Sequence, residues 1–278
     1  MPAHWWQAAE PLGEYALRFP EPLEAGAYRL AVTVEGYPVP AGGYLQVTDV
    51  AAYTAVATDN VYATEVNEES DTYFVIRPSM RLDSHWSRNA LGVNAGATQT
   101  FFNSFDTENS TTGYVGGYGR LDIGSRSDVG ANFRISREVE DRTSLDTITF
   151  GKPVTFNVKD AAVTVGHRFN QLQLRGTFDR ASYDYHNQDG LTLDLRDFTQ
   201  DTFTGRVEYA LSPRIGIVGR VVSDHREYDK SPGLSSDGRN YQAGVAFHLT
   251  DLLLGEVTVG EFSRDYDSGR KISGASLN

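Results

Sequence analysis

The sequence contains no cysteine in 278 residues, which removes disulfide frameworks and thiolate metal sites from consideration. No stretch approaches the roughly 18 consecutive apolar residues of a transmembrane helix. Positive charge is in deficit: 25 Lys and Arg stand against 37 Asp and Glu, a net charge of −12. Binding to phosphate backbones needs clustered Lys and Arg, so nucleic acid is not expected as a partner. The opening stretch MPAHWWQAAEPLGEYALRF has neither a basic n-region nor a continuous apolar h-region. No signal peptide is expected there, and an exported protein with this start would be a mature form, a fragment or the product of a misplaced start.

Signatures of covalent chemistry are missing as well. His4, His85, His167, His186, His225 and His248 show no metal-ligand spacing, and lumenal or interfacial histidines are the simpler account. No Gly-x-Ser-x-Gly elbow occurs, and Ser268 with Lys271 forms a Ser-x-x-Lys without companion motifs. Asp189, Asp194, Asp197 and Asp201 are candidates for calcium only without an EF-hand pattern, which favours a solvated or lipopolysaccharide-facing loop. Gly116, Gly117 and Gly119 precede no helix, so they read as close strand packing and not as a phosphate loop. No enzyme activity, cofactor or metal is expected.

What the chain has is alternation. Leu172, Leu174, Gly176 and Phe178 alternate with Gln173, Arg175 and Thr177, a period of two that marks a strand with one apolar and one polar face. From about residue 50 onward some eleven such segments follow one another, each longer than the roughly five or six residues of a usual globular strand. Short turns near 85–89, 124–128, 168–171, 211–214 and 249–252 alternate with longer polar links at 103–112, 138–147, 185–201 and 224–240. Tight turns at one end and long loops at the other are the habit of an outer-membrane barrel. Trp86, Phe169, Tyr209 and Phe247 near the turn end, and Phe101, Phe102, Tyr183, Tyr185, Tyr228 and Tyr266 near the loop end, read as two interfacial girdles. The expected fold is therefore all-β, an antiparallel up-and-down transmembrane β-barrel with about 11 strands present.

On that reading Leu172, Leu174, Phe178, Val207, Ile215 and Ile217 face lipid. Arg120, Arg134, Arg168, Arg175, Arg206 and Arg220 line the pore, with Asp122, Glu138, Asp179 and Glu208 as candidate partners. Free arginines would favour anionic solutes, whereas arginines paired across the lumen would neutralise themselves and narrow the bore.

The segments TDNVYATEVNEESDTYFVIRPSMRLDSHWSRNALGVNAGA (58–97), GRLDIGSRSDVGANFRISREVEDR (119–142), HRFNQLQLRGTFDRASYDY (167–185), YALSPRIGIVGRVVSDHREYD (209–229) and GVAFHLTDLLLGEVTVGEFSRDYD (244–267) resemble outer-membrane β-barrel porins of Gram-negative bacteria associated with exopolysaccharide biosynthesis and export. The resemblance covers about residues 50–270. It implies a location in the cell outer membrane and a role as conduit or accessory component of exopolysaccharide export. A structural or adhesive barrel with a plugged lumen and working surface loops is the alternative, and a barrel enzyme is the third reading. Implied partners are outer-membrane lipid and lipopolysaccharide, the barrel assembly machinery and polysaccharide export proteins. Such barrels end on an aromatic residue and have an even strand count; a chain closing on KISGASLN is expected to be C-terminally incomplete, part of a larger barrel. Residues 1–48, with EYALRFP, AYRLAVTVEGY and GYLQVTD at a different spacing, are expected to be a separate short β segment, the remnant of a periplasmic module, preceding a barrel region at 49–278.

Overall fold

Long runs of β-branched and aromatic residues at period two leave the backbone one way to satisfy its hydrogen bonds, namely ladders between neighbouring strands. The computed structural model describes residues 27–39, 43–64, 67–84, 86–142, 151–188, 190–248 and 254–277, with side chains described from Thr54 onward apart from His248 and Leu254. The segment EYALRFP and the residues His4, His85 and Asp189 lie outside the described residues.

Among the described residues thirteen strands form one antiparallel sheet in which each pairs with its sequence neighbours: β1 (Ala27–Val39), β2 (Gly43–Thr58), β3 (Asp71–Ser84), β4 (Ala90–Phe102), β5 (Ser110–Ile123), β6 (Ser127–Val139), β7 (Thr155–Phe169), β8 (Leu172–Tyr185), β9 (Phe198–Ala210), β10 (Ile215–Tyr228), β11 (Ser236–His248), β12 (Leu254–Tyr266) and β13 (Lys271–Leu277). The all-β, antiparallel, up-and-down class is as expected: the eleven strands expected from about residue 50 onward correspond to β2–β12, the closing segment forms β13, and β1, expected in a separate segment, joins the same sheet. The boundary expected at 48/49 falls inside β2, whose ladder to β3 runs unbroken from Leu45 to Thr58. A register shift between Glu35 and Tyr37 in β1 explains the different spacing there, because a bulge inverts the parity of every residue beyond it. Among the described residues β1 pairs with β2 and β13 with β12, and no ladder joins β1 to β13.

Register makes each face continuous. Val129 lies opposite Val165, Val163 opposite Phe178, Leu174 opposite Val207, Tyr209 opposite Ile217 and Val245 opposite Val257. These side chains are largely exposed, Leu174 at 40% and Val207 at 41%, which in water would be a costly arrangement over so wide a surface. Among the described side chains charge returns on the same face towards the loop end, where Arg180 meets Asp201 at 3.6 Å and His225 meets Asp237 at 2.9 Å. From Asp201 to Leu211 the strand covers about 34 Å at ~3.4 Å per residue, or about 26 Å along a membrane normal at a tilt of ~40°. That is the height of a lipid-facing band.

The connections are unequal. Asn170 and Gln171 join β7 to β8, with Asn170 at a φ of 51°, the left-handed conformation a two-residue hairpin demands and asparagine tolerates. At the other end the links between β2 and β3, β6 and β7, and β8 and β9 are long, whereas β12 and β13 meet through a short turn at Gly269.

Candidate functional site

On the polar face each functional side chain is set by parity. Arg175, Arg206 and Arg220 sit directly opposite one another across β8, β9 and β10. Three like charges in a row are destabilising unless compensated. Compensation comes from Glu208, 2.7 Å from Arg206, and from Glu256, which lies 2.8 Å from Arg206 and 3.1 Å from Arg220. Glu256 belongs to β12, three strand spacings or about 14 Å along the sheet from β9. Side chains stand roughly perpendicular to a sheet, so this contact is the geometry of a concave polar face. Beneath the network Val218 and Thr258 are fully buried.

Among the described residues four further bridges skip a strand by crossing a glycine in their own register row. Asp128 of β6 reaches Arg175 of β8 at 3.5 Å over Gly166 of β7. Asp224 of β10 reaches Arg264 of β12 at 2.6 Å over Gly238 of β11. The hydroxyl of Tyr118 on β5 donates to Asp83 of β3 at 2.9 Å over Gly92 of β4. Gln242 of β11 donates to Ser276 of β13 at 3.3 Å over Gly260 of β12. A Cβ at Gly238 would overlap the Asp224 carboxylate and lie 2.7 Å from Arg264 Nη2; one at Gly166 would lie 2.5 Å from Asp128 Oδ1. Glycine here is a saddle under a polar arch.

The remaining expected pore residues are placed as follows. Arg120 pairs with Asp122 at 3.0 Å. Arg134 rests over the Tyr114 ring, 4.1 Å from its centroid. Arg168 has no ion-pair partner among the described residues, and Glu138 accepts a hydrogen bond from Ser136 at 2.8 Å. Asp179 shares the polar face with Arg175. Leu174, Phe178, Val207, Ile215 and Ile217 are exposed on the apolar face, and Leu172 shares it opposite Tyr209. Glu256, Asp128, Asp224 and Arg264 were not among the expected site residues. Parity marks them as polar-face positions, but nothing in the sequence says which partner each meets.

At the loop end the girdle expectation needs correction. Tyr183, Tyr185 and Tyr228 lie on the polar face, counted in twos from Arg175 and Arg220. They form a row with Phe156 and Phe198: Phe156 stacks on Tyr185 at 4.9 Å and Tyr183 on Phe198 at 4.4 Å, and Phe198 meets Tyr228 tilted at 5.2 Å, between ring centroids. Phe102 likewise stacks on Tyr73, whereas Phe101 is exposed on the apolar face beside Phe74. Nearness to a strand end does not decide which face a residue takes; parity does.

Loops knit over this row. Arg196 lies 4.3 Å above the Tyr185 ring and grips Glu140 at 2.5 and 3.2 Å. Arg142 holds the buried Glu108 at 2.6 and 3.1 Å. The Lys230 ammonium bonds Asp194 and, with Asn187, holds that carboxyl below the usual carboxylate range. Burial pushes the neighbouring Asp197 carboxyl up, although it accepts a hydrogen bond from the Tyr185 N–H at 2.6 Å. Among the described residues no group of three or more His, Asp or Glu is placed to hold a metal ion.

Comparison with solved structures finds outer-membrane-expressed OmpT of Vibrio cholerae at 11% identity and a TM-score of 0.46, covering 91% of this chain and 93% of that one. The ferric-catecholate import receptor Fiu from E. coli K12 follows at 12% identity and a TM-score of 0.47, with 91% of this chain and 56% of that one covered. The copper transporter OprC has 10% identity and a TM-score of 0.45, with coverages of 92% and 56%. No curated protein matches the sequence. With an apolar band outside, a concave polar wall inside and a match over residues 37–278 to the family described as "Putative beta-barrel porin 2", the chain belongs to that β-barrel porin family of the outer membrane.

Proposed function

We propose that this barrel is a hydrated conduit, or an accessory to one, in exopolysaccharide export. One observation carries the reading. The concave wall carries guanidinium, carboxylate, amide and hydroxyl groups already bonded to one another, among them Arg206, Glu208, Glu256, Arg220 and Gln242. A wall whose polar groups satisfy one another offers a passing sugar chain many weak, exchangeable hydrogen bonds and few strong traps. No covalent step enters this role. Outer-membrane lipid and lipopolysaccharide, the barrel assembly machinery and polysaccharide export proteins are the partners it calls for.

The knitted loops favour a second reading. Arg196 on Glu140 and Arg142 on Glu108 tie neighbouring loops together at the mouth, as a plugged barrel with an adhesive outer surface would require. Conductance of the protein in a planar bilayer separates the two. Large ohmic steps whose ion selectivity changes in Arg206→Gln and Arg220→Gln are expected for a conduit. Stable insertion without conductance would overturn that reading in favour of the plugged barrel.

A further inference from the structure

The turn end of the polar face holds a cavity of about 720 Å³, within the roughly 300–1,000 Å³ typical of small-ligand sites. Its charge differs from that of the wall above. Five arginines, Arg88, Arg120, Arg126, Arg168 and Arg175, line it against two carboxylates, Asp122 and Asp128. Arg120 takes Asp122 at 3.0 Å and Arg175 takes Asp128 at 3.5 Å across the Gly166 saddle. Arg88 donates to the Gly124 carbonyl. Arg126 and Arg168, both exposed, have no ion-pair partner among the described residues. The basin is therefore cationic in a protein whose net charge is −12.

Guanidinium forks are matched to planar oxyanions, which they hold in bidentate fashion. Ser125 and Gln173, also in the lining, add donors and acceptors of the kind that hydroxyl-rich ligands use. In this family the short turns face the periplasm, the side from which an exported chain arrives. We propose that this basin captures carboxylate-bearing glycan segments at the periplasmic mouth. The inference rests on the conduit reading, but its test needs no current, so the two can fail separately.

The test is equilibrium binding of fluorescently labelled hexagalacturonate to the full chain folded in detergent, read by anisotropy. Binding is expected to weaken at least tenfold in Arg126→Gln/Arg168→Gln, with strand content unchanged by circular dichroism. Arg239→Gln/Lys271→Gln removes two exposed positive charges elsewhere and should leave binding within about twofold, which salt screening of distant charges allows. Labelled maltohexaose, which is neutral, should not bind. The proposal is overturned if the two double variants weaken binding equally, or if hexagalacturonate binds no better than maltohexaose. It is also overturned if inorganic phosphate at equal charge displaces the oligomer completely, which would make the basin a site for small ions.

Discussion

Replacing Gly238 by alanine places a methyl group under the Asp224–Arg264 arch. Alanine in a strand is ordinarily better than glycine by about 0.5–1 kcal/mol, because glycine loses more backbone freedom on folding. At Gly238 the added Cβ would overlap the Asp224 carboxylate and crowd Arg264, so the 2.6 Å bridge must open. A charge-assisted hydrogen bond of this kind contributes about 1.5–3 kcal/mol. The net expectation is a loss of about 0.5–2.5 kcal/mol. Gly130 lies on the same polar face with nothing nearer than a carbonyl oxygen at 3.7 Å, and Gly130→Ala should stabilise by a few tenths to about 1 kcal/mol. Urea unfolding in phospholipid vesicles, followed by intrinsic fluorescence, measures both. In an Arg264→Gln background Gly238→Ala should lose most of its cost, since no arch remains to break. An equal cost in both backgrounds, or stabilisation at both glycines, would refute the saddle argument.

The apolar band gives a second expectation. Val207 is the middle of the five apolar-face positions from Phe203 on β9 to Leu211 just beyond its end, so Val207→Arg should cost about 2–4 kcal/mol and Leu211→Arg no more than about 1 kcal/mol, a gradient readable in the same unfolding assay. Arg175→Gln, at a half-exposed 3.5 Å pair, should stay within about 1 kcal/mol of wild type. Arg196→Ala removes the grip on Glu140 and the contact over Tyr185, and limited proteolysis of the intact protein should cut the loop at 186–197 at least several times faster. The Asp194 carboxyl is held below its ordinary range by Lys230 and Asn187, so this tie is present above that range and lost as pH falls through the lowered value. Protease resistance of the same loop should drop on acidification below about pH 4, and Asp194→Asn should remove that pH dependence.

From β3 onward the strands were legible because one medium is apolar and the other aqueous, which forces strict alternation. AYRLAVTVEGY within β1 reads as a strand as well, but the bulge near Tyr37 inverts its parity and sets it apart from the series, and β2 is cut in two because Asp49 and Val50 interrupt the alternation within a single ladder. The arginines of the wall could be placed on the polar face by counting. Their partners could not, since the contact of Glu256 with Arg206 depends on how strongly the sheet curves across β9 to β12, and curvature is not written in any one strand. The stacked Tyr183 and Tyr185 were legible in principle, an even number of residues from Arg175. Position along the strand suggests a girdle, whereas parity sets both rings on the polar face.

Because every described strand pairs with its sequence neighbours and, among the described residues, with no other, the wall is modular in units of one hairpin. Each strand occupies about 6 Å of circumference at a spacing of ~4.8 Å and a tilt of ~40°, so a duplicated or deleted hairpin changes the perimeter by about 12.5 Å and the diameter by about 4 Å. The arches cross at most three strand spacings and would be copied or lost with their own segment. Bore width in such a design is an inheritable integer, adjustable without redesigning the rest of the wall.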